Sequence, residues 1–165
     1  MRTLVFLSGA VLLAAGTGAL AGSTAPRTVS GTVDQSEWAE PGQLTVDLDS
    51  GVYSVTPGVW ASGERKGQPR GKALSGTVQP AQLMKLNALA ETASANGLVD
   101  TQCAATDRSE RPGIVVSNGG EQTIALTLDG ERETAHPDLE CWTAAATELH
   151  RGMQALVDAE RTRQP

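Results

Sequence analysis

Aromatic side chains are scarce in this chain of 165 residues. It contains three Trp, one Tyr and one Phe, and Phe6 lies in the N-terminal apolar run. The core must therefore be built mainly from Leu, Val, Ile and Ala, which bury less area per residue than an aromatic ring. Sugar-binding catalytic clefts usually carry aromatic platforms, so the shortage also counts against a glycoside hydrolase.

Positive charge is the second shortage. The chain has 13 Lys and Arg against 19 Asp and Glu, a formal net charge of −6. Affinity for nucleic acid depends on Lys and Arg that neutralise phosphates. Adsorption to anionic lipid needs the same positive surface. We therefore expect neither nucleic acid nor an anionic membrane as a partner.

Only one long apolar run is present, and it lies at the N-terminus. Arg2 precedes the run Leu4 to Ala15, and Ala19 and Ala21 form a small-x-small cleavage site. The run is shorter than the roughly 20 residues that a membrane-spanning helix needs. We expect residues 1–21 to be a signal peptide that is cut after Ala21. The mature protein would then be secreted or periplasmic, without stable membrane insertion.

Cysteine is limited to Cys103 and Cys141. In an exported protein an even pair usually forms a disulfide. The alternative is a zinc site that adds His136 and His150 to the two thiols, because all four are suitable zinc ligands. The chain has no short Cys-x-x-Cys pair, so the disulfide is preferred and no metal or cofactor is expected.

Composition divides the mature chain into a leader, one domain and a short tail. Residues 22–42 are rich in Gly, Ser, Thr and Pro and are expected to be a flexible leader. A short β segment near Val29 to Val33 is left open, as is whether Trp38 docks on the core or touches a partner. A single domain is expected over residues 43–161, followed by a tail over residues 162–165.

Two sets of alternating residues predict an antiparallel sheet. Gln43 to Asp49 alternates apolar and polar side chains, and Val52 to Thr56 resumes after a turn, which predicts a hairpin. Val59 to Ala61 would be a brief edge strand. A meander is expected later in the chain, with turns at Asn-Gly-Gly and Asp-Gly. Its strands are Gly113–Ser117, Gln122–Leu128 and Glu131–Ala135.

Helical periodicity predicts two helices. The first runs from Pro80 to Asn96, with a proline at its start and Asn-Gly at its end. The second runs from about Pro137 to Arg161 and carries an apolar stripe at 3- and 4-residue spacing. The stripe is Trp142, Ala146, Leu149, Met153 and Leu156. The predicted fold class is α+β: an antiparallel sheet of four to five strands, two helices on one face and one disulfide.

Motifs for common enzyme chemistry are missing. The chain has no Gly-x-Ser-x-Gly elbow, no His-Glu-x-x-His and no phosphate-binding Gly-Lys-Ser/Thr loop. We therefore expect a protein that is not an enzyme. A small hydrolase with a carboxylate site that the sequence does not reveal is kept as an alternative.

One basic stretch stands out in this acidic chain. The loop from Ser62 to Gly76 is rich in glycine and holds four cationic side chains. It is interpreted either as a solvated loop or as a recognition loop for an acidic partner surface. The candidate partner-binding residues are Trp60, Arg65, Lys66, Arg70 and Lys72.

Three short motifs carry a resemblance to known proteins. They are Pro80-Ala81-Gln82-Leu83-x-x-Leu86, Ile124-x-Leu126-x-Leu128-Asp129-Gly130 and Pro137-Asp138-Leu139. With the order of elements from about residue 43 to residue 157, the chain resembles small exported bacterial α+β domains of unassigned function. The order is also similar to that of emfourin-type inhibitors of bacterial metalloproteases. The chain departs from them by its cysteine pair and its lack of phenylalanine, and no inhibitory residue can be transferred.

These observations predict an exported, non-enzymatic binding protein. The resemblance implies that it binds or inhibits another secreted protein through exposed loops. A structural domain associated with the cell envelope is the other alternative. The sequence specifies no oligomeric state.

Overall fold

The fold is a six-stranded antiparallel sheet with helices packed on one face. The computed structural model describes residues 25–34, 36, 38–103, 122–135 and 141–164. The strands are β1 (Thr28–Val33), β2 (Ala39–Glu40), β3 (Gly42–Asp47), β4 (Val52–Thr56), β5 (Val59–Trp60), β6 (Leu74–Thr77), β7 (Ile124–Leu128) and β8 (Glu131–Ala135). The large sheet has the order β6-β4-β3-β1-β7-β8, while β2 and β5 pair separately.

The central position of β1 corrects the predicted start of the folded domain. β1 pairs with β3 on one side and with β7 on the other. Its valines Val29 and Val33 are 0% and 1% exposed. The β segment left open at this position is therefore a strand, and the leader predicted over residues 22–42 is wrong for this stretch. The folded unit includes Thr28, because β1 joins the two halves of the sheet.

The predicted hairpin of β3 and β4 is confirmed. Leu44 and Val46 of β3 are buried, as are Tyr53 and Val55 of β4, and the residues between them in each strand are exposed. This alternation gives the sheet one apolar face under the helices and one polar face toward water.

The predicted hairpin of β7 and β8 is confirmed as well. Asp129 and Gly130 form its turn with φ values of 51° and 83°, which is the left-handed conformation that a two-residue hairpin turn requires. The strand predicted over Gly113–Ser117 lies outside the described residues. The sheet has six strands instead of four to five, because β1 and the four-residue β6 also belong to it.

Helix α1 (Pro80–Asn96) has the predicted bounds. Proline suits its first position, where no backbone N–H is needed. Leu86, Ala90 and Ala93 are its buried residues. Gly97 follows with φ 74°, a conformation that favours glycine after a helix end.

Helix α2 (Ala144–Arg163) starts later than predicted. Thr143 is its N-cap, and the threonine side chain accepts a hydrogen bond from the backbone N–H of Ala146 at 3.1 Å. Trp142 is therefore not on the helix but forms a β-bridge with Val99. The predicted stripe is confirmed from Ala146 onward, where α2 buries its apolar side chains against the sheet.

Two glycines lie where neighbouring elements approach closely: Gly152 between α2 and α1, and Gly31 between β1, the residue before β7 and α2. A Cβ added at Gly152 of α2 would lie 2.6 Å from Cδ1 of Leu89 in α1. A Cβ added at Gly31 of β1 would lie 2.5 Å from the carbonyl oxygen of Thr123 and 2.9 Å from Cε of Met153. Gly31 excludes a larger side chain because the atom it would meet is a backbone oxygen, whereas at Gly152 the Leu89 side chain would have to shift.

The two cysteines are adjacent, but the predicted disulfide is not shown. The Sγ atoms of Cys103 and Cys141 lie 2.8 Å apart, beyond the roughly 2.05 Å of an S–S bond. The neighbouring backbone brings them together, since the N–H of Asp100 donates to the carbonyl of Cys141 at 2.7 Å. Helical residues 101–103 carry Cys103. None of the helices in the described part of the chain is long and apolar enough to cross a membrane.

Candidate functional site

The candidate site is a small lobe at one end of the sheet, formed by residues 38–40 and 58–73 and called here the tryptophan–arginine lobe. Its frame is the two-stranded sheet of β2 and β5, in which Ala39 pairs with Trp60. Gly58 makes this pairing possible. A Cβ at Gly58 would lie 2.1 Å from the carbonyl oxygen of Glu40, which is closer than any real contact.

The loop after β5 folds back on that strand. The N–H of Gly67 donates to the carbonyl of Trp60 at 2.8 Å, and the N–H of Trp60 donates to the carbonyl of Gln68 at 3.0 Å. Gly63 and Gly67 turn the chain with φ values of 76° and 78°. The loop predicted from Ser62 to Gly76 is therefore folded by backbone hydrogen bonds, and it ends earlier than predicted because β6 begins at Leu74. The side chains of residues 61–69 are exposed.

Two guanidinium groups stack on the indole of Trp60. The Cζ atom of Arg65 lies 4.0 Å from the ring centroid, and the Cζ atom of Arg70 lies 5.1 Å from it. A cation over the face of an indole is attracted by the ring quadrupole, by about 0.5–1 kcal/mol at an exposed site. The contacts hold two cations in place on a surface that is open to solvent.

Trp38 extends this surface. Its side chain is 61% exposed, and its carbonyl accepts a hydrogen bond from the N–H of Ala61 at 2.9 Å. A shallow cleft of about 380 Å³ separates the two indoles. It is lined by Trp38, Trp60, Ser62, Gly63, Glu64 and Arg65.

Asp34 anchors the lobe to the helix layer. Nη1 of Arg70 donates to the backbone carbonyl of Asp34 at 2.7 Å. The Asp34 carboxylate forms a two-pronged ion pair with Arg161 of α2, in which Nη1 lies 2.5 Å from Oδ1. The N–H of Asp34 donates to Oε1 of Gln154 at 2.9 Å. Through these contacts α2 positions one of the two stacked guanidiniums.

The electrostatics at Asp34 favour its charged form. The hydrogen bonds from Arg161 hold the pKa of Asp34 below its ordinary value, although partial burial acts in the opposite direction. Asp34 has φ 59°, a left-handed conformation that aspartate adopts more readily than most residues. The carboxylate is therefore a fixed negative charge at neutral pH.

The structure brings together three of the five predicted site residues. Trp60, Arg65 and Arg70 come together, as the cation–π contacts show. Lys66 and Lys72 are exposed on the same loop. Both lie outside the described stack, whose two cations are Arg65 and Arg70.

Three participants were not predicted as site residues. Trp38 was left open between core and partner contact, and its exposure places it on the surface of the lobe. Asp34 and Arg161 were not associated with the loop, because the ion pair joins positions 127 residues apart. The only local indication was the Ser-Gly-Thr-Val-Asp end of β1, where aspartate suits a left-handed turn.

The histidines and cysteines do not assemble into a metal site in the described part of the chain. No group of three or more His, Cys, Asp or Glu side chains there could hold a metal ion. Nε2 of His150 lies 2.8 Å from the carbonyl oxygen of Thr32. The rings of His150 and Trp142 pack edge to face, with their centroids 5.2 Å apart. His136 of the zinc alternative lies outside the described residues.

One carboxylate is deeply buried, but it is part of the core. Glu160 is 1% exposed and accepts a hydrogen bond from the Tyr53 hydroxyl at 2.7 Å. Arg163 also pairs with it, and Gln164 donates to the same hydroxyl at 2.8 Å. Burial raises the pKa of Tyr53, and the hydrogen bond to Glu160 raises it further. The network joins the end of α2 to β4.

Three of the surface clefts in the described part of the chain bear on the alternative of a carboxylate site. One lies in the tryptophan–arginine lobe and the other two lie along α1 and α2. Each is lined by at most one carboxylate, Glu64 in the lobe and Glu148 beside α2. A pair of convergent acids, which a glycosidase would need, is therefore not found in any of the three.

No protein-family model matches the chain, and neither a curated protein nor a solved structure does so.

Proposed function

We propose that this protein is an exported, non-enzymatic binding protein whose tryptophan–arginine lobe docks on an acidic surface of another exported protein. The observation that carries the proposal is the stack of Arg65 and Arg70 on Trp60 beside the exposed Trp38. Trp and Arg are the residue types most enriched among the side chains that dominate binding energy at protein interfaces.

Pre-ordering supports this function. A guanidinium that already lies on an indole loses less conformational freedom when it meets a carboxylate. Arg70 is ordered further by its bond to the carbonyl of Asp34. Binding through these side chains therefore loses less free energy to the ordering of side chains.

Charge distribution supports an acidic partner. Residues 62–73 hold four cationic side chains and one acidic side chain, whereas the whole chain has a net charge of −6. A local positive surface on an acidic domain steers an acidic partner to the lobe and repels that partner elsewhere. The orientation of the complex would be set in this way.

Export is part of the proposal. The expected signal peptide over residues 1–21 places the mature protein in the periplasm or outside the cell. The juxtaposition of Cys103 and Cys141 at 2.8 Å supports a disulfide in that oxidising compartment. Inhibition of a secreted protease is the specific form that the emfourin-type order of elements suggests.

Capture with matched variants tests the proposal. The oxidised mature protein is immobilised and exposed to the secreted and envelope proteins of its organism. One variant replaces Arg65, Lys66 and Lys72 with Ala, and the control variant replaces Lys85, Arg132 and Arg151 with Ala. Arg70 is kept because it is bonded to Asp34.

The expected result is one acidic protein retained by the wild type and the control but not by the loop variant. Any retained enzyme is then assayed with and without the soluble protein, and slowing would establish inhibition. Equal retention by all three proteins, or retention of nothing, would contradict the proposal.

A further inference from the structure

The two edges of the large sheet differ in how they are protected. β8 at one edge carries Glu131, Arg132 and Glu133. β6 at the other edge reads Leu-Ser-Gly-Thr and has neither a charge nor a proline. Charged side chains and proline are the usual means of preventing strand addition at an edge. β6 has neither, and its short length of four residues is the one such protection that it shows.

Hydrogen bonding determines which groups of β6 point outward. The N–H of Val78, the residue after β6, donates to the carbonyl of Gly51 at 2.9 Å. In an antiparallel pair the bonded residues alternate, so Gly76 and Leu74 also turn their N–H and C=O groups toward β4. Ser75 and Thr77 turn theirs to the open edge.

These outward groups are accessible. Ser75, Gly76 and Thr77 are all exposed, and no residue described elsewhere in the chain bonds to the N–H or C=O of Ser75. The carbonyl of Thr77 accepts a hydrogen bond from Nη2 of Arg163 at 3.3 Å. That bond shows that an outward carbonyl of β6 can accept from a donor outside the sheet.

The basic loop runs directly into this edge. Lys72 precedes Leu74 by two residues, and residues 62–73 hold four cationic side chains against one acidic side chain. A chain segment that pairs with β6 and continues past its first residue would lie beside these cations. An acidic segment complements that charge, whereas a second copy would bring its own basic loop to the same edge.

We propose that β6 is the docking strand for an extended acidic segment of the partner, which adds to the sheet through the outward N–H and C=O of Ser75 and the outward N–H of Thr77. This inference rests on the proposed function and specifies how the partner is held. Backbone hydrogen bonds supply the pairing, and the loop cations select for acidic side chains.

Peptide probes test the strand addition directly. The probe is a fluorescein-labelled peptide of about ten residues, the length of a long strand, with alternating Glu and Val. A second peptide has the same sequence with N-methyl groups on alternate amides, which removes donors without changing charge. A third has Lys in place of Glu. We expect only the first to bind in fluorescence anisotropy, with affinity at least tenfold above that of the other two.

A matched pair of variants locates the binding edge. Ser75→Pro removes the outward N–H and leaves the bonds to β4, a place where proline is tolerated. Ser75→Thr keeps that N–H. The first variant should lower the peptide affinity at least tenfold and the second should leave it unchanged. Thermal melting shows whether each variant is folded. If Ser75→Pro does not fold, the comparison of methylated and unmethylated peptides on the wild type tests the strand addition instead.

Several outcomes would overturn the inference. They are equal binding of the methylated and unmethylated peptides, no binding of the acidic peptide, and folded Ser75→Pro protein with full affinity. Self-association in sedimentation that Ser75→Pro abolishes would instead make a second copy the occupant. If the loop variant loses the captured protein while Ser75→Pro retains it, the proposed function stands and only the docking strand is wrong.

Discussion

The Trp142 side chain is buried in the hydrophobic core, just before the start of α2. It is 6% exposed, and its ring centroid lies 5.2 Å from that of His150. The backbone of Trp142 forms a β-bridge with Val99. Its Nε1 has no hydrogen-bond partner in the described structure, so its contribution comes from the burial of its apolar surface.

Trp142→Ala should lower the free energy of unfolding by about 3–5 kcal/mol, because it removes a large buried ring and leaves a cavity. Denaturant melting followed by circular dichroism measures the change. Trp38→Ala is the control, since the Trp38 side chain is 61% exposed and should change stability by less than about 0.5 kcal/mol. Equal effects of the two substitutions would contradict the assignment of Trp142 to the core.

Asp34 provides a prediction about pH. Its pKa is lowered in the folded state, chiefly by the hydrogen bonds from Arg161. A lowered carboxyl pKa stabilises the fold above the unfolded value of about 3.9, and that stabilisation is lost as the pH falls through the folded value. Asp34→Asn should therefore cost on the order of 1 kcal/mol at neutral pH, and the difference from wild type should shrink below about pH 4. A difference that stays constant from pH 7 to pH 3 would contradict this role.

The β2–β5 pair depends on glycine at the point where its two strands approach. An added Cβ at Gly58 would lie 2.1 Å from the Glu40 carbonyl oxygen, whereas one at Gly71 meets nothing within 4 Å. The two glycines therefore form a natural comparison within one lobe.

Gly58→Ala should destabilise the protein by about 1–3 kcal/mol, the usual effect of overpacking. It should also change the fluorescence of Trp60, because the strand that carries this indole must move. Gly71→Ala should leave both properties unchanged. Melting curves and emission spectra of the two variants provide the measurement, and matching behaviour would show that the lobe is not held by this contact.

Periodicity predicted several elements well. The bounds of α1, the hairpin of β7 and β8, and the stripe of α2 from Ala146 onward follow from apolar spacing, turn residues and a proline at a helix start. These are local properties, and local sequence is sufficient to specify them.

Other features depended on distant parts of the chain. β1 alternates Val29, Gly31 and Val33, but the Gly, Ser and Pro around it outweighed that short pattern, and one of its two partner strands, β7, lies far away in sequence. The start of α2 was misplaced because Pro137 is a common first helical residue, while the side chain of Thr143 provides the observed N-cap. In the site, the loop composition indicated Trp60 and its arginines, but no local pattern could indicate the Asp34–Arg161 pair.

A disulfide between the two cysteines should stabilise the whole fold against unfolding. Cys103 and Cys141 are separated by 38 residues (141 − 103) in the sequence. Closing a loop of this length stabilises a fold by roughly 4 kcal/mol in the chain-entropy model. Reduction of the mature protein should therefore lower its unfolding midpoint.

Intact mass after alkylation without reductant checks the oxidation state. An unmodified mass is expected for the oxidised protein, and two alkyl groups should appear only after reduction. Two alkyl groups without reductant would show that both thiols are reduced, which would contradict the disulfide.

We propose that the tryptophan–arginine lobe binds an acidic exported protein. The affinity of the captured partner for the lobe tests this proposal most directly. Titration calorimetry would compare wild type with the Arg65, Lys66 and Lys72 alanine variant and with the control that replaces Lys85, Arg132 and Arg151, at low and high salt. We predict that only the loop variant loses at least tenfold in affinity, and that the affinities of wild type and control fall as salt rises. Equal affinity of all three proteins, unchanged by salt, would contradict the account.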